Sequence, residues 1–235
     1  MKIKGRIVAG GNIKLGTTIG TWSTLMGNDV YTVNINGTEM KIPGTCGDHC
    51  KGCKKACYVK KSYRYPSVIK CHARNTLAIR DTDKCFQDLN GQLARKRKPF
   101  EIIRIDQSGE IENRKQFVMW EMLATNHKET TFYIYTKNYE IAVSELLGGH
   151  VPENMVVLFS IWHEYGWNEY CKVKHLVNVK AFVYDDNEFV YNFNIQTYCK
   201  AYDDKGKLDH EITCEKCRKC FNKLATCKVI GCKAH

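Results

Sequence analysis

Phe100-Glu101-Ile102-Ile103-Arg104-Ile105-Asp106-Gln107-Ser108-Gly109-Glu110 is the stretch on which the fold turns. It reads as a β-strand over residues 100–106 followed by a turn. With a period of two, Ile103 and Ile105 share one face, and Arg104 and Asp106 share the other. The apolar face packs under helices, so the polar pair looks into a barrel or cleft. Ser108, Gly109 and Glu110 then stand at the strand's C-terminal end, where α/β sheets and barrels collect their ligand sites. The glycine admits close backbone approach, and the carboxylate can pair with an ammonium group. Ser-Gly-Glu alone is a common turn, and Arg104 with Asp106 reads equally well as an internal salt bridge. Position along the chain gives the segment its weight.

Downstream, strands alternate with helices. A helix is expected over 114–124, a strand over 131–135 and a helix over 141–147 closed by Gly148-Gly149. Further strands are expected over 155–161, 179–184 and 190–195. Such alternation predicts parallel strands joined by right-handed helical crossovers. At the strand ends, Tyr135, Thr136, Lys137, Ser160, Trp162 and His163 would line the mouth of the site or serve as ordinary strand-end residues. Upstream, residues 30–35 and 38–42 form a hairpin around Asn36-Gly37, a type I′ turn signal. Ser67 is placed to cap one helix, and a second covers 83–97. Cys71 and Cys85, isolated from other cysteines, read as small buried hydrophobes.

Pro43-Gly44 delivers the hairpin into Cys46-Gly-Asp-His-Cys50-Lys-Gly-Cys53-Lys-Lys-Ala-Cys57-Tyr58. Four sulfurs so close together cannot sit far apart in space. Soft thiolates that converge suit an iron–sulfur cluster or zinc. Zinc prefers paired C-x2-C hooks from two loops, so the single dense run favours iron–sulfur, with Tyr58 as an aromatic beside it. The first three cysteines have C-x3-C-x2-C spacing. A second group follows near the C-terminus: Cys214-Glu-Lys-Cys217-Arg-Lys-Cys220 is a ferredoxin-type run needing a fourth ligand. Cys199 is the first choice, and Cys227 or Cys232 the alternative. Zinc is a more serious rival here, because Lys216, Arg218, Lys219, Lys223 and Lys228 would make a basic knuckle for nucleic acid. His210 and His235 are further candidate ligands that read more simply as solvated side chains.

The chain has 235 residues, enough for one large domain, with 43% hydrophobic and 26% charged residues, as in globular proteins. No run approaches the ~20 apolar residues of a membrane span, and the basic N-terminus lacks the apolar core of a secretory signal. A cytoplasmic location is therefore expected. Thirteen cysteines, clustered and odd in number, point in a reducing compartment to metal ligands rather than disulfides. The formal charge of +11 falls by about three if two [4Fe–4S] clusters are bound. The remaining excess admits nucleic acid as a partner.

Taken together, the residues resemble the phage and prophage proteins carrying the gene product 88 domain, which look like distant relatives of radical S-adenosylmethionine (SAM) enzymes. The resemblance rests on Asn12-Ile13-Lys14-Leu15-Gly16 leading to Ile19-Gly20-Thr21-Trp22-Ser23, and on Thr45-Cys46 leading to Ala56-Cys57-Tyr58. It continues through Arg104-Ile105-Asp106-x-Ser108-Gly109-Glu110 and Tyr135-Thr136-Lys137, and closes with Cys199 and the Thr213–Cys220 run. The fold it implies is α/β, a partial (β/α) barrel of the radical SAM type with an N-terminal β-hairpin and a cysteine-rich C-terminal extension. The barrel is expected over residues 1–197 and the extension over 198–235. It also implies two [4Fe–4S] clusters. One, with an iron left open for SAM, would be held by three of Cys46, Cys50, Cys53 and Cys57. The radical SAM spacing selects Cys46, Cys50 and Cys53, and the family's simpler pattern selects Cys46, Cys53 and Cys57. The other would use Cys199, Cys214, Cys217 and Cys220. Ser108, Gly109 and Glu110, with Tyr58, Arg104 and Asp106, would bind the cofactor. The expected function is reductive cleavage of SAM with an external electron donor, acting on an unknown substrate. The rival is a non-catalytic zinc or iron–sulfur protein that binds nucleic acid through Arg95-Lys96-Arg97-Lys98 and Tyr63-Arg64-Tyr65.

Overall fold

The computed structural model describes residues 3–9, 14–47, 51–185, 193–202, 211–223 and 225–233. Two short strands, β1 (Val8–Ala9) and β2 (Gly20–Thr21), precede a hairpin of β3 (Val30–Ile35) and β4 (Thr38–Pro43). Asn36 and Gly37 both take positive φ, 53° and 88°, as a type I′ turn requires. Two short helices, α1 (Lys51–Lys55) and α2 (Val59–Ser62), occupy the first cysteine segment, before the longer α3 (Pro66–Arg80) and α4 (Thr82–Ala94). The alternating part comprises β5 (Ile102–Ile105), α5 (Arg114–Asn126), β6 (Thr131–Thr136), α6 (Tyr139–Leu147), β7 (Met155–Ile161), α7 (Glu164–Val173) and β8 (Val179–Asp185). The chain ends with β9 (Thr197–Tyr198), α8 (Cys214–Cys217) and β10 (Val229–Lys233).

Eight strands form one sheet in the order β1-β2-β5-β6-β7-β8-β10-β9. Every pairing from β2 to β9 is parallel, and only β1 runs antiparallel to its neighbour. The expected barrel is thus a mixed α/β architecture with a mostly parallel sheet, and no pairing of β1 with β9 closes it among the described residues. From β2 to β8 the strand order follows the chain without reversing, so the crossover helices collect on one face. There Ile103, Ile105, Phe132, Ile134, Val157 and Phe159 pack against α3 to α7 in the main core. Trp22 and Trp120, both fully buried, meet edge to face at 5.5 Å within it. The opposite face buries Ile102, Tyr133, Val156 and Leu158 beneath Leu15, Ile19 and Phe221. The face split expected for residues 103–106 is therefore present.

Several boundaries moved for local reasons. Ser67 does not cap α3, because Pro66 starts the helix at its first turn, where the missing N–H costs nothing. Asp81 caps α4 by accepting from the Lys84 N–H, so that helix starts at Thr82. The strand expected over 190–195 is corrected: residues 193–195 carry none, and 190–192 lie outside the described residues. In its place β10, unanticipated, inserts between β8 and β9 and pairs in parallel with both. The segment expected as a cysteine-rich extension thus donates a strand to the sheet. Lys180, fully buried in β8, donates to the Lys219 carbonyl at 2.8 Å and fastens that segment down. Among the described residues no helix is long and apolar enough to cross a membrane.

One buried acid stands out in the helical layer. Glu121 of α5 is 5% exposed, and its Oε1 has no hydrogen-bond partner. Burial and the neighbouring Glu145 push its carboxyl from an ordinary 4.5 to about 7. A group shifted in this direction contributes stability below pH 4.5, and that contribution is lost as pH rises through about 7. Glu121→Gln should therefore raise the melting temperature at pH 8 by roughly 2–6 °C and give almost no gain at pH 4.5. Thermal unfolding at the two pH values measures the difference.

Candidate functional site

The C-terminal ends of β5 to β8 open onto a cavity of about 550 Å3. One wall is the first cysteine segment, which presents Cys46, Cys53 and Cys57. The hairpin exit holds that wall in place. Thr45 donates its N–H to the Leu25 carbonyl at 2.9 Å, and its hydroxyl receives the Glu110 N–H at 3.0 Å and lies 2.9 Å from the Thr24 hydroxyl. The Ser108 hydroxyl donates to the Thr24 carbonyl at 2.9 Å, and Thr24 returns its N–H to the Ser108 carbonyl. Cysteine loop and strand end are therefore one hydrogen-bonded unit. Gly109 takes φ +85°, and a Cβ there would collide with the Thr24 side chain. The Gly27 N–H points at the Cys46 sulfur from 3.0 Å, and Cys57 lies 3.5 Å from the Met26 sulfur. Cys50 lies outside the described residues.

The opposite wall is the C-terminal segment. Cys199, Cys214, Cys220 and Cys232 line the same cavity, while Cys217 lines a smaller adjoining crevice with Cys199, Cys214 and Cys220. Cys227 lies on neither wall. Cys232 arrives on β10, buried at 2% exposure, and Cys199 follows β9, its N–H bonded to the Gly231 carbonyl. The amides of Cys214 and Glu215 donate to the carbonyls of Lys14 and Leu15, tying the start of α8 to the N-terminal segment. Thr213 caps that helix through the Lys216 N–H. No disulfide joins the described cysteines. As thiols, Cys46, Cys220 and Cys232 are each pushed by burial to about 12.

The cations are placed among these sulfurs. Burial opposes the charge on Lys14, yet Cys199, Tyr202, Cys232 and Cys214 outweigh it and raise its pKa. Its ammonium sits 4.1 Å from the centre of the Tyr202 ring. Burial likewise opposes Lys137, which Glu110, Cys53 and Cys46 hold charged. Aromatic rings fill the floor and mouth: Tyr135, Phe182, and Trp162 stacked on Tyr184 at 3.9 Å. Gly52 of α1 lies against Trp162. Tyr58 donates to the Gln107 carbonyl and receives a hydrogen bond from Arg104 at 3.4 Å, bridging the cysteine segment to β5.

Of the cofactor-binding residues expected from sequence, Tyr58, Arg104, Asp106, Ser108 and Gly109 all line the cavity. Glu110 stands behind that wall, with its carboxylate bonded to Thr136, to the Lys137 N–H and, at 3.5 Å, to the Lys137 ammonium. Of the two readings left open for Arg104 and Asp106, the internal salt bridge is not made, and both side chains line the cavity. Among the described residues no three His, Cys, Asp or Glu side chains already stand at metal-ligand separation. The donor set nonetheless fits a thiophilic group, because two banks of soft sulfur face one cavity, with an N–H donor on Cys46 and ammonium groups beside both banks. Sequence reading missed Lys14 and Met26 as wall residues, and Thr24 and Thr45 as the brace. Only the positions of Lys14 and Thr45 inside resemblance motifs pointed at them.

No curated protein and no solved structure matches the chain. The model of the family described as Gene product 88 matches residues 6–223, nearly the whole chain, and the protein belongs to that family of phage gene products.

Proposed function

We propose that this protein is a radical SAM-like iron–sulfur protein whose parallel sheet serves as an incomplete barrel around one reaction chamber. One observation carries the reading. Two cysteine banks and the Asp106–Gly109 strand end, far apart in sequence, line a single cavity at the C-terminal ends of parallel strands. Cys46, Cys53 and Cys57, with Cys50 as the further thiol of that run, would hold the first [4Fe–4S] cluster. Cys199, Cys214 and Cys220 would hold the second, completed by Cys217 or Cys232. The first cluster, with one iron left open, would supply the chemistry of reductive SAM cleavage, the electron coming from an external donor and the products being methionine and a 5′-deoxyadenosyl radical.

The chain's own residues do the rest. Gly27 donates to the Cys46 sulfur, and Lys137 and Lys14 would offset the charge of cluster-bound thiolates in a region where water cannot. Tyr135, Phe182, Trp162 and Tyr184 form apolar walls that would keep solvent and stray hydrogen donors from a reactive intermediate. The basic run Arg95–Lys98 of the binding-protein alternative is exposed and follows α4, before β5, at the opposite end of the sheet from the cavity.

Anaerobic reconstitution of the full chain is the test. A brown protein with about eight irons that forms 5′-deoxyadenosine from SAM under dithionite is expected. Cys46→Ala should reduce 5′-deoxyadenosine to background. Cys217→Ala should keep SAM binding at the first cluster. A colourless zinc protein making no 5′-deoxyadenosine would replace this reading with the metal-stabilised binder.

A further inference from the structure

Among the described residues, two buried polar atoms in the cavity wall have no partner. Asp106 is 5% exposed; its Oδ1 receives only the Thr24 hydroxyl at 3.3 Å, and its Oδ2 receives nothing. Its backbone is held at φ +48°, a left-handed conformation uncommon for a side-chain-bearing residue and frequent where function demands it. Two residues earlier, Arg104 has its Nε equally unsatisfied, while its guanidinium lies 4.7 Å from the centre of the Tyr135 ring. The two side chains form no ion pair with each other, although both line the cavity. Folding has thus left one acceptor and one donor buried and unmatched beside an open space. That arrangement carries a desolvation penalty which a ligand of the right chemistry would relieve.

The ligand needs an ammonium for the carboxylate and an anion for the guanidinium, held close together. The Cα atoms of residues two apart at a strand end lie roughly 7 Å from one another, and both side chains reach the same cavity, so one carbon bearing both charges can serve the two. A phosphate would satisfy Arg104 but bring no cation to Asp106. A sugar diol would satisfy Asp106 and leave Arg104 unmatched. We propose that Asp106 and Arg104 are the seat of a zwitterionic α-amino acid group, with Asp106 accepting from its ammonium and Arg104 donating to its carboxylate. Glu110, the acid that the sequence marked for this task, is occupied by Thr136 and Lys137. Burial first, and then the charge of Glu110, raise the Asp106 pKa well above the usual carboxylate range, and an ammonium seated beside it would favour the charged form and draw that pKa back down. Thr24, Glu112 and Lys137 are the other groups bearing on it.

This inference rests on the SAM reading only in part, since the methionyl end of SAM and a free amino-acid substrate both carry the group. Calorimetric titration of the reconstituted full chain separates the sources, using SAM, S-adenosylhomocysteine, 5′-methylthioadenosine (which lacks the amino-acid end) and free L-amino acids. The expected result is that Asp106→Asn and Arg104→Met each weaken SAM and S-adenosylhomocysteine at least tenfold, hold methylthioadenosine within twofold, and keep the iron content and melting temperature. Should free L-amino acids bind through Asp106 while SAM does not bind at all, the seat stands as a substrate site and the SAM reading falls. If SAM binds and Asp106→Asn leaves its affinity unchanged, or if Glu110→Gln is the variant that selectively loses the amino-acid-bearing ligands, the seat is overturned and the SAM reading survives.

Discussion

The brace of Thr24, Thr45 and Ser108 is the constraint on which the rest of the site depends. A loop of four cysteines has no shape of its own; its sulfurs take up positions only relative to something rigid. Here the rigid body is the buried end of β5, and the link is a set of hydrogen bonds in which each threonine hydroxyl serves more than one partner. Both threonines are almost fully buried, so the bonds are screened from water and the cost of breaking one is the desolvation of whatever it leaves unpaired. Glu110 extends the brace to β6 through Thr136 and Lys137. The carboxylate thereby couples two strand ends, and it does so by giving up access to the cavity.

Charge is balanced over the same short distances. Buried lysines are costly unless something holds their charge. Lys14 and Lys137 stay protonated because each is surrounded by sulfur, tyrosine or carboxylate. Each lysine therefore stands where a group held by thiolates would bring negative charge.

Much of this was legible in the sequence, and the reasons are local. The strand over 155–161 was placed to the residue because it is an unbroken apolar run buried on both faces. The split of Ile103 and Ile105 from Arg104 and Asp106 followed from the two-residue period alone. β10 was not legible: Val229-Ile-Gly-Cys-Lys is short, contains a glycine, and is a strand because β8 and β9 offer parallel edges on both its sides. Nor was the fate of Glu110. Its neighbours in sequence allow it to face the cavity, and only the positions of Thr136 and Lys137, brought alongside by the β5–β6 pairing, turn it away.

The insertion of β10 also explains why two cysteine groups more than 140 residues apart face each other. A C-terminal appendage packed outside the sheet would have placed its sulfurs wherever a surface was available. Because β10 pairs in register with β8, Cys232 falls beside Tyr184, whose ring stacks on Trp162 over the α1 end of the first cysteine segment. Cys199, hydrogen-bonded to Gly231 on the same strand, is carried along with it. Sheet hydrogen bonds, which have no preference for sulfur, thus set the positions of two of the five cysteines of the second bank. The three cysteines around α8 are placed separately, through the carbonyls of Lys14 and Leu15. Two independent anchors converging on one cavity give that convergence its functional meaning, since neither anchor alone requires it.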